Sequence, residues 1–169
     1  MGKSCKVLII DDEKDFCELL KENLSLMDEF EVAYETDPQK AEAAVEREAP
    51  DIILLDNVMP NRKGSEIVHV LKKQEKTKGI PIIMISGRGE MVFYKKTSSF
   101  KWEANRPIVK NRGQISDSKN PDSLAQEYGV DCYISKPVTT DIIIEAMKDL
   151  LKARGKIGGS EGGDPAPEF

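Results

Sequence analysis

Lys6-Val-Leu-Ile-Ile10 is a short apolar run that ends on two carboxylates, Asp11 and Asp12. No polar residue alternates within it, which predicts a strand buried on both faces. The same pattern recurs at Asp51-Ile-Ile-Leu-Leu-Asp56 and at Ile80-Pro-Ile-Ile-Met-Ile85. Strands buried on both faces belong to parallel sheets that helices cover on each side, so these stretches decide the fold class.

Amphipathic helices are predicted between these strands, because apolar residues recur there at helical spacing and Asp37-Pro38 is a helix-start pair. Thr139 or Thr140 is the predicted cap of the last helix. The predicted helices cover about residues 14–27, 37–48, 67–71, 121–128 and 140–154, and the other strands cover residues 30–36 and 132–135. Strands that alternate with helices in this way predict an α/β fold with a doubly wound, five-stranded parallel sheet.

Composition limits the function classes. The chain has 169 residues, enough for one domain, and a net charge of −5, which argues against a nucleic-acid coat or a polybasic membrane anchor. We expect no transmembrane helix and no secretory signal, because the apolar runs are too short. The three cysteines have no metal-ligand spacing and are interpreted as small buried side chains, so we expect a cytoplasmic protein.

Polar residues follow the predicted strands, where the carboxyl ends of parallel strands form the ligand-binding edge. They are Asp11, Asp12, Asp56, Ser86 and Lys136. Three converging carboxylates repel one another unless a hard cation lies among them, and Mg²⁺ suits oxygen ligands. A cation, an ammonium and a hydroxyl can together hold a phosphoryl group, which a carboxylate could accept as an acyl phosphate.

The order and spacing of these motifs resemble the receiver domain of two-component response regulators. The motifs are Leu8-Ile-Ile-Asp-Asp12, Leu54-Leu-Asp-Asn-Val-Met-Pro60, Gly64, Ile83-Met-Ile-Ser-Gly87 and Tyr133-Ile-Ser-Lys-Pro137. The resemblance covers about residues 4–90 and 121–154 and implies a flavodoxin-like (βα)5 receiver fold.

The resemblance implies that Asp56 is the phosphoacceptor and that Mg²⁺ is the cofactor. Asp12, Asp56 and the backbone carbonyl of Val58 would bind the magnesium directly, and Asp11 would bind it through a water molecule.

The resemblance also implies roles for three further residues. Lys136 would contact the phosphoryl group and stabilise charge during transfer. Ser86 would move toward the phosphate, and Tyr133 would turn inward behind it as a switch, although a buried tyrosine serves packing equally well. The domain would thereby shift between two conformations.

The function that follows is signalling. A histidine kinase or phosphotransfer protein would phosphorylate Asp56, and a downstream protein or a fused effector would read the state, with a phosphorylation-dependent dimer as a further possibility. Such a domain assists its own phosphorylation but is not an enzyme that turns over an external metabolite. The alternatives are a phosphorylation-silent interaction domain and an aspartyl-phosphate phosphatase, which would need an acid where Val58 stands.

Ser86 and Lys136 are separated by about thirty residues more than receivers usually need. We place an insertion at 91–120, between the fourth strand and the fourth helix, where Val92-Phe-Tyr and Pro107-Ile-Val could form a hairpin. Residues 88–120 carry eight basic and three acidic side chains, a charge of +5. A solvated disordered loop, a partner-docking element and a lid over the site stay open interpretations, whereas nucleic-acid binding is disfavoured in an acidic protein.

Domain organisation follows from these boundaries. Residues 4–154 are predicted to form the receiver domain, including the insertion. Residues 155–169 are rich in Gly, Pro and acidic side chains, which is typical of a flexible tail or linker.

Overall fold

The computed structural model describes residues 4–87, 93–95, 121–136 and 138–157. The strands are β1 Cys5–Ile10, β2 Phe30–Glu35, β3 Ile52–Asp56, β4 Ile82–Ser86, β5 Phe93–Lys95 and β6 Cys132–Ser135. The helices are α1 Lys14–Ser25, α2 Ala41–Glu48, α3 Gly64–Lys73, α4 Pro121–Tyr128 and α5 Thr140–Ala153, with a short 3-10 helix at Pro38–Lys40 ahead of α2.

The sheet has the strand order β2-β1-β3-β4-β6-β5. Its first five strands in this order run parallel, which confirms the predicted doubly wound parallel sheet. The chain moves outward from β1 to β2 and then crosses to β3 on the other side of β1. This reversal is a topological switch point, and it puts the ends of β1 and β3 next to each other at the ligand-binding edge.

A sixth strand, β5, extends the sheet beyond the five predicted strands. It runs antiparallel to β6, with Phe93 opposite Ile134 and Lys95 opposite Cys132. The strand predicted at Val92-Phe-Tyr is therefore present but shifted by one residue, to Phe93–Lys95, and it pairs with β6. The other half of the predicted hairpin, at 107–109, lies outside the described residues, as does most of 91–120.

Alternation along each strand builds a core on both faces of the sheet. Val7 and Ile9 of β1 lie in a cluster with α1 and α5, whereas Leu8 and Ile10 lie in a cluster with α2 and α3. All four side chains are at most 1% exposed. The three cysteines are buried and free, as the sequence predicts.

The ends of the helices follow the predicted signals in part. The Asp37 carboxylate accepts a hydrogen bond from the backbone N–H of Gln39 at 2.9 Å, and Pro38 lies in the first turn. Gly129 ends α4 with a φ of +68°, a left-handed conformation that glycine adopts without strain. Thr139 occupies the N-cap position of α5, but its side chain makes no capping hydrogen bond. Within the described residues, no helix combines the length and the apolar character that a membrane span requires.

Candidate functional site

Three carboxylates meet at the carboxyl edge of the sheet. Asp11 and Asp12 directly follow β1, and Asp56 is the last residue of β3. One carboxylate oxygen from each lies within 4.8 Å of the others. Asp11 is 2% exposed and Asp56 is 4% exposed, so most of this negative charge is withdrawn from water.

The crowding changes the acidity of the cluster. Burial and the neighbouring Asp11 raise the pKa of the Asp56 carboxyl to about 6, although Lys136 and the backbone N–H of Val58 act in the opposite direction. Burial also raises the pKa of Asp11, partly offset by the Glu13 backbone N–H and by Lys136. Two buried acids with raised pKa values therefore share one short edge, which is an arrangement that a nearby positive charge would relieve.

Lys136 brings a positive charge to this cluster from the residue after β6. Its Nζ donates to Asp11 Oδ2 at 2.9 Å and to Glu13 Oε1 at 3.0 Å. The ammonium also lies 4.5 Å from the centre of the Phe16 ring, a cation–π distance. Burial lowers the pKa of Lys136, but the hydrogen bonds to both carboxylates raise it by more. The pKa therefore lies above its ordinary value, and the amine stays protonated.

Ser86 ends β4 beside this lysine. Its side chain is fully buried, and its Oγ finds no hydrogen-bond partner among the described residues. The Ser86 backbone carbonyl accepts from the Lys136 backbone N–H at 2.7 Å. An unpartnered buried hydroxyl is unusual in a native protein and marks a position where a ligand oxygen could bind.

Tyr133 lies in β6, paired with Met84 of β4 and 5% exposed. Its ring stacks on that of Tyr128, with centroids 5.9 Å apart and 11° between the planes. Tyr128 ends α4, so the stack joins this helix to the sheet. The inward position of Tyr133 fits both interpretations given above, a packing residue and a switch.

The loop from β3 to α3 begins directly after Asp56 and ends at Gly64. Val58, two residues after Asp56, is 55% exposed. Gly64 fits directly against the end of β3, since a Cβ built there would lie 2.2 Å from the Asp56 carbonyl oxygen. Arg62 fixes the middle of the loop with hydrogen bonds to Glu42 of α2 and to the Pro38 carbonyl.

The donor set fits magnesium. Mg²⁺ prefers carboxylate oxygens and retains several waters, so one or two carboxylates at an accessible edge suffice. Asp12 is only partly buried, and the exposed Val58 leaves room for solvent. A divalent cation would also offset the burial and the repulsion from Asp11 that together raise the pKa of Asp56.

The structure brings the strand-end residues predicted from the sequence to one edge of the sheet. Sequence reasoning missed Glu13, Phe16 and Tyr128 as neighbours of the site. Only Glu13 had a local signal, because it follows the two aspartates directly. His69, the one histidine, lies exposed on α3.

The sequence model of the response regulator receiver domain matches residues 7–119 of this chain. The match includes Asp11, Asp12, Asp56 and Ser86 and ends before α4, β6 and α5. The position of Lys136 at the site therefore rests on the tertiary structure and on the sequence motif around it.

Known proteins are similar to the chain in sequence and in structure. The phosphate regulon transcriptional regulatory protein PhoB of Pseudomonas aeruginosa is 30% identical over 155 residues, which cover 92% of this chain and 54% of the relative. The chain thus spans about half the length of that curated relative. A CheY-like response regulator receiver domain from Methanospirillum hungatei superposes with a TM-score of 0.64 at 22% identity, covering 92% of this chain and all of the other. The chemotaxis response regulator CheY4 of Vibrio cholerae gives a TM-score of 0.62 at 20% identity, covering 88% of this chain and all of the other.

Proposed function

The chain belongs to the response regulator receiver domain family, which is a family of signalling domains, and we propose that it accepts a phosphoryl group on Asp56. The observation that carries this proposal is the position of Asp56: a buried carboxylate at the end of β3, within 4.8 Å of two further carboxylates and electrostatically coupled to Lys136. Asp11 has the same neighbours, but its two carboxylate oxygens already accept from the Glu13 backbone N–H and from Lys136 Nζ.

Magnesium would be held by Asp12, Asp56 and the Val58 carbonyl, with Asp11 acting through a bound water. When bound, the cation neutralises negative charge on the entering phosphoryl group. Asp11 is committed to Lys136 and to the Glu13 backbone N–H, which supports an indirect role for it.

The transfer step is a displacement at phosphorus. An Asp56 carboxylate oxygen attacks the phosphorus of a phosphohistidine, the new O–P bond forms as the P–N bond breaks, and the imidazole leaves and takes up a proton. The product is an acyl phosphate. Hydrolysis by water later returns the carboxylate and inorganic phosphate, so the domain assists both steps without turning over a separate metabolite.

Lys136 and Ser86 would stabilise the phosphorylated state. The Lys136 ammonium carries a full positive charge at the same edge and donates hydrogen bonds, as phosphoryl binding requires. The Ser86 hydroxyl gains a partner for its buried oxygen when a phosphoryl oxygen is present. Tyr133, packed between the sheet and Tyr128, would then be the residue through which α4 responds.

The phosphodonor would be a histidine kinase or a phosphotransfer protein, and the output would be a contact with a downstream protein or with a fused effector domain. The relative named as a transcriptional regulatory protein is about twice as long as the matched region, which supports a fused effector as one form of output. A cytoplasmic location would give the domain access to such partners.

The decisive experiment is the intact mass of the protein after incubation with acetyl phosphate and magnesium. We expect one added phosphoryl group on the wild type and none on Asp56→Asn, with a matched loss of labelling when EDTA replaces magnesium. Asp15→Asn, an exposed carboxylate in the first turn of α1, is the control and should label as the wild type does.

Two outcomes would contradict the proposal. Labelling of Asp56→Asn to the wild-type level would move the acceptor elsewhere. A wild type that is folded and binds magnesium, yet takes up no phosphoryl group from acetyl phosphate or from a phosphohistidine protein, would favour a phosphorylation-silent domain that acts through its 91–120 segment.

A further inference from the structure

The Lys136 ammonium is bound by two carboxylates that differ in their surroundings. Asp11 is 2% exposed and belongs to the acidic cluster, whereas the Glu13 side chain is 65% exposed and lies outside it. Both bonds are short, at 2.9 and 3.0 Å. The hydrogen bonds that Lys136 Nζ makes within the described residues therefore go to these two groups, and its interaction with Asp56 is electrostatic only.

The Glu13 main chain is anchored to Asp11 and to the first turn of α1. Its N–H donates to Asp11 Oδ1 at 2.9 Å, and its carbonyl accepts from the Cys17 N–H at the start of α1. The side chain therefore leaves a rigid position between β1 and α1. From there its carboxylate reaches Lys136 from the solvent side, while the Phe16 ring covers another face of the ammonium.

An ammonium has three donors, and here two of them are engaged away from the acceptor carboxylate. The third donor is free among the described residues, but these two bonds fix the position of the ammonium, so its access to a phosphoryl group on Asp56 depends on whether they hold or exchange. The bond to Asp11 is buried and is stabilised by the low local dielectric. The bond to Glu13 is largely exposed, so it is the weaker of the two and the one that can exchange with water.

We propose that Glu13 is a positioning residue that holds Lys136 back from Asp56 and thereby slows phosphoryl transfer. The inference rests on the proposed function of Asp56 and Lys136 and extends it to a residue with no assigned role. Glu13 sets how often the lysine is available, whereas Lys136 contacts the phosphoryl group.

The test compares Glu13→Gln with Asp15→Asn, which removes the same charge from an exposed carboxylate two residues away. Both proteins are phosphorylated with acetyl phosphate at saturating magnesium, and the initial rate is followed by intact mass. We expect Glu13→Gln to be phosphorylated about two- to fivefold faster than the wild type, the range that a largely exposed ion pair permits. Asp15→Asn should stay at the wild-type rate.

A spectroscopic readout separates positioning from a general change of charge or stability. In the magnesium-bound, unphosphorylated protein, the ¹⁵N signal of the Lys136 ammonium reports its hydrogen bonds directly. We expect this signal to shift and its protons to exchange faster in Glu13→Gln, and to stay unchanged in Asp15→Asn.

The inference fails if Glu13→Gln reacts at the wild-type rate, if Asp15→Asn accelerates equally, or if the Lys136 signal is the same in all three proteins. Each of these results leaves the phosphoacceptor role of Asp56 intact. Failure of the proposed function is distinct, because the wild type itself would then carry no phosphoryl group on Asp56.

Discussion

The backbone N–H of Lys136 donates to the backbone carbonyl of Ser86 at 2.7 Å, which joins the residue after β6 to the last residue of β4. The Lys136 side chain extends from this point to Asp11 after β1. One residue thus links three strand ends, and the two residues that would contact a phosphoryl group are bonded to each other through their main chains. A displacement of the Ser86 main chain would therefore act directly on Lys136 through this hydrogen bond.

Ser86→Ala should stabilise the unphosphorylated protein or leave its stability unchanged. The Ser86 hydroxyl is buried and has no partner among the described residues, and such a group costs about 1–3 kcal/mol, whereas a methyl group needs no partner. We expect a free energy of unfolding up to about 1 kcal/mol higher, measured by urea denaturation. With acetyl phosphate and magnesium, the same variant should reach a lower phosphorylated fraction by intact mass. A large loss of stability would mean that the hydroxyl already has a partner.

Asp56→Asn should stabilise the protein when magnesium is removed. The pKa of Asp56 in the folded protein, about 6, lies above its ordinary value of 3.8, so its contribution to stability is favourable below pH 3.8 and is lost as the pH rises through 6. At pH 7.5 with EDTA we expect the free energy of unfolding of the variant, measured by urea denaturation, to be about 1–3 kcal/mol higher than that of the wild type. Magnesium should make this difference in unfolding free energy smaller, since the cation would offset the burial and the repulsion from Asp11 that raise the pKa of Asp56.

The control for that measurement is Asp28→Asn, an exposed carboxylate distant in sequence from the cluster. It should change the free energy of unfolding little, with or without magnesium. Equal unfolding free energies of Asp56→Asn and wild type in EDTA would contradict the raised pKa of Asp56.

Glu42→Gln should make the protein less stable near neutral pH but not in acid. The Arg62 guanidinium, bonded to Glu42, holds the pKa of this carboxyl below its usual 4.5, so its stabilising contribution is present above pH 4.5 and is lost as the pH falls below it. We expect a cost of about 1–2 kcal/mol at pH 7, measured by urea denaturation, that shrinks toward pH 3. Glu46→Gln, an exposed neighbour on α2, is the control; an equal cost for both would rule out a specific role of the Arg62 pair.

Gly64→Ala should destabilise the fold and weaken magnesium binding together. A Cβ at this position would meet the Asp56 carbonyl oxygen at 2.2 Å and the Asn57 Cα at 2.9 Å, so the end of β3 has to move. We expect a loss of about 1–3 kcal/mol in unfolding free energy, with a lower magnesium affinity by titration calorimetry. Gly79→Ala, where nothing lies within 4 Å, should leave both quantities unchanged. Normal magnesium affinity in Gly64→Ala would show that the strand end tolerates the shift.

Replacing residues 91–120 by a short Gly-Ser linker should leave a folded domain. The replacement removes β5, but β6 keeps its parallel pairing with β4. We expect a single cooperative unfolding transition by circular dichroism, with a lower midpoint because the edge of β6 is opened. Loss of cooperative unfolding would mean that the segment supplies part of the core, and it would contradict its assignment as an insertion.

The same shortened protein tests the lid interpretation of the segment. A lid excludes water from the acyl phosphate, so its removal should shorten the half-life of phosphorylated Asp56. An unchanged half-life would leave the docking and loop interpretations.

Local sequence patterns determined the strands and most of the helices of this protein. A continuous apolar run such as Leu54-Leu55 can be satisfied only where both faces of a strand are covered, and parallel strands then bring their carboxyl ends to one edge. The meeting of Asp11, Asp56 and Lys136 follows from that geometry, although they are up to 125 residues apart in the chain.

The contacts within that edge depend on how the helices and strands pack together. The choice of Glu13 as a second partner of Lys136, the stack of Tyr128 on Tyr133 and the pairing of β5 with β6 all depend on side-chain directions and strand register. These are set by the packing of elements distant in sequence, and no local period encodes them. Local sequence therefore predicts which groups share the edge, whereas side-chain packing sets which of them are hydrogen-bonded. Packing also leaves the Ser86 hydroxyl without a partner among the described residues.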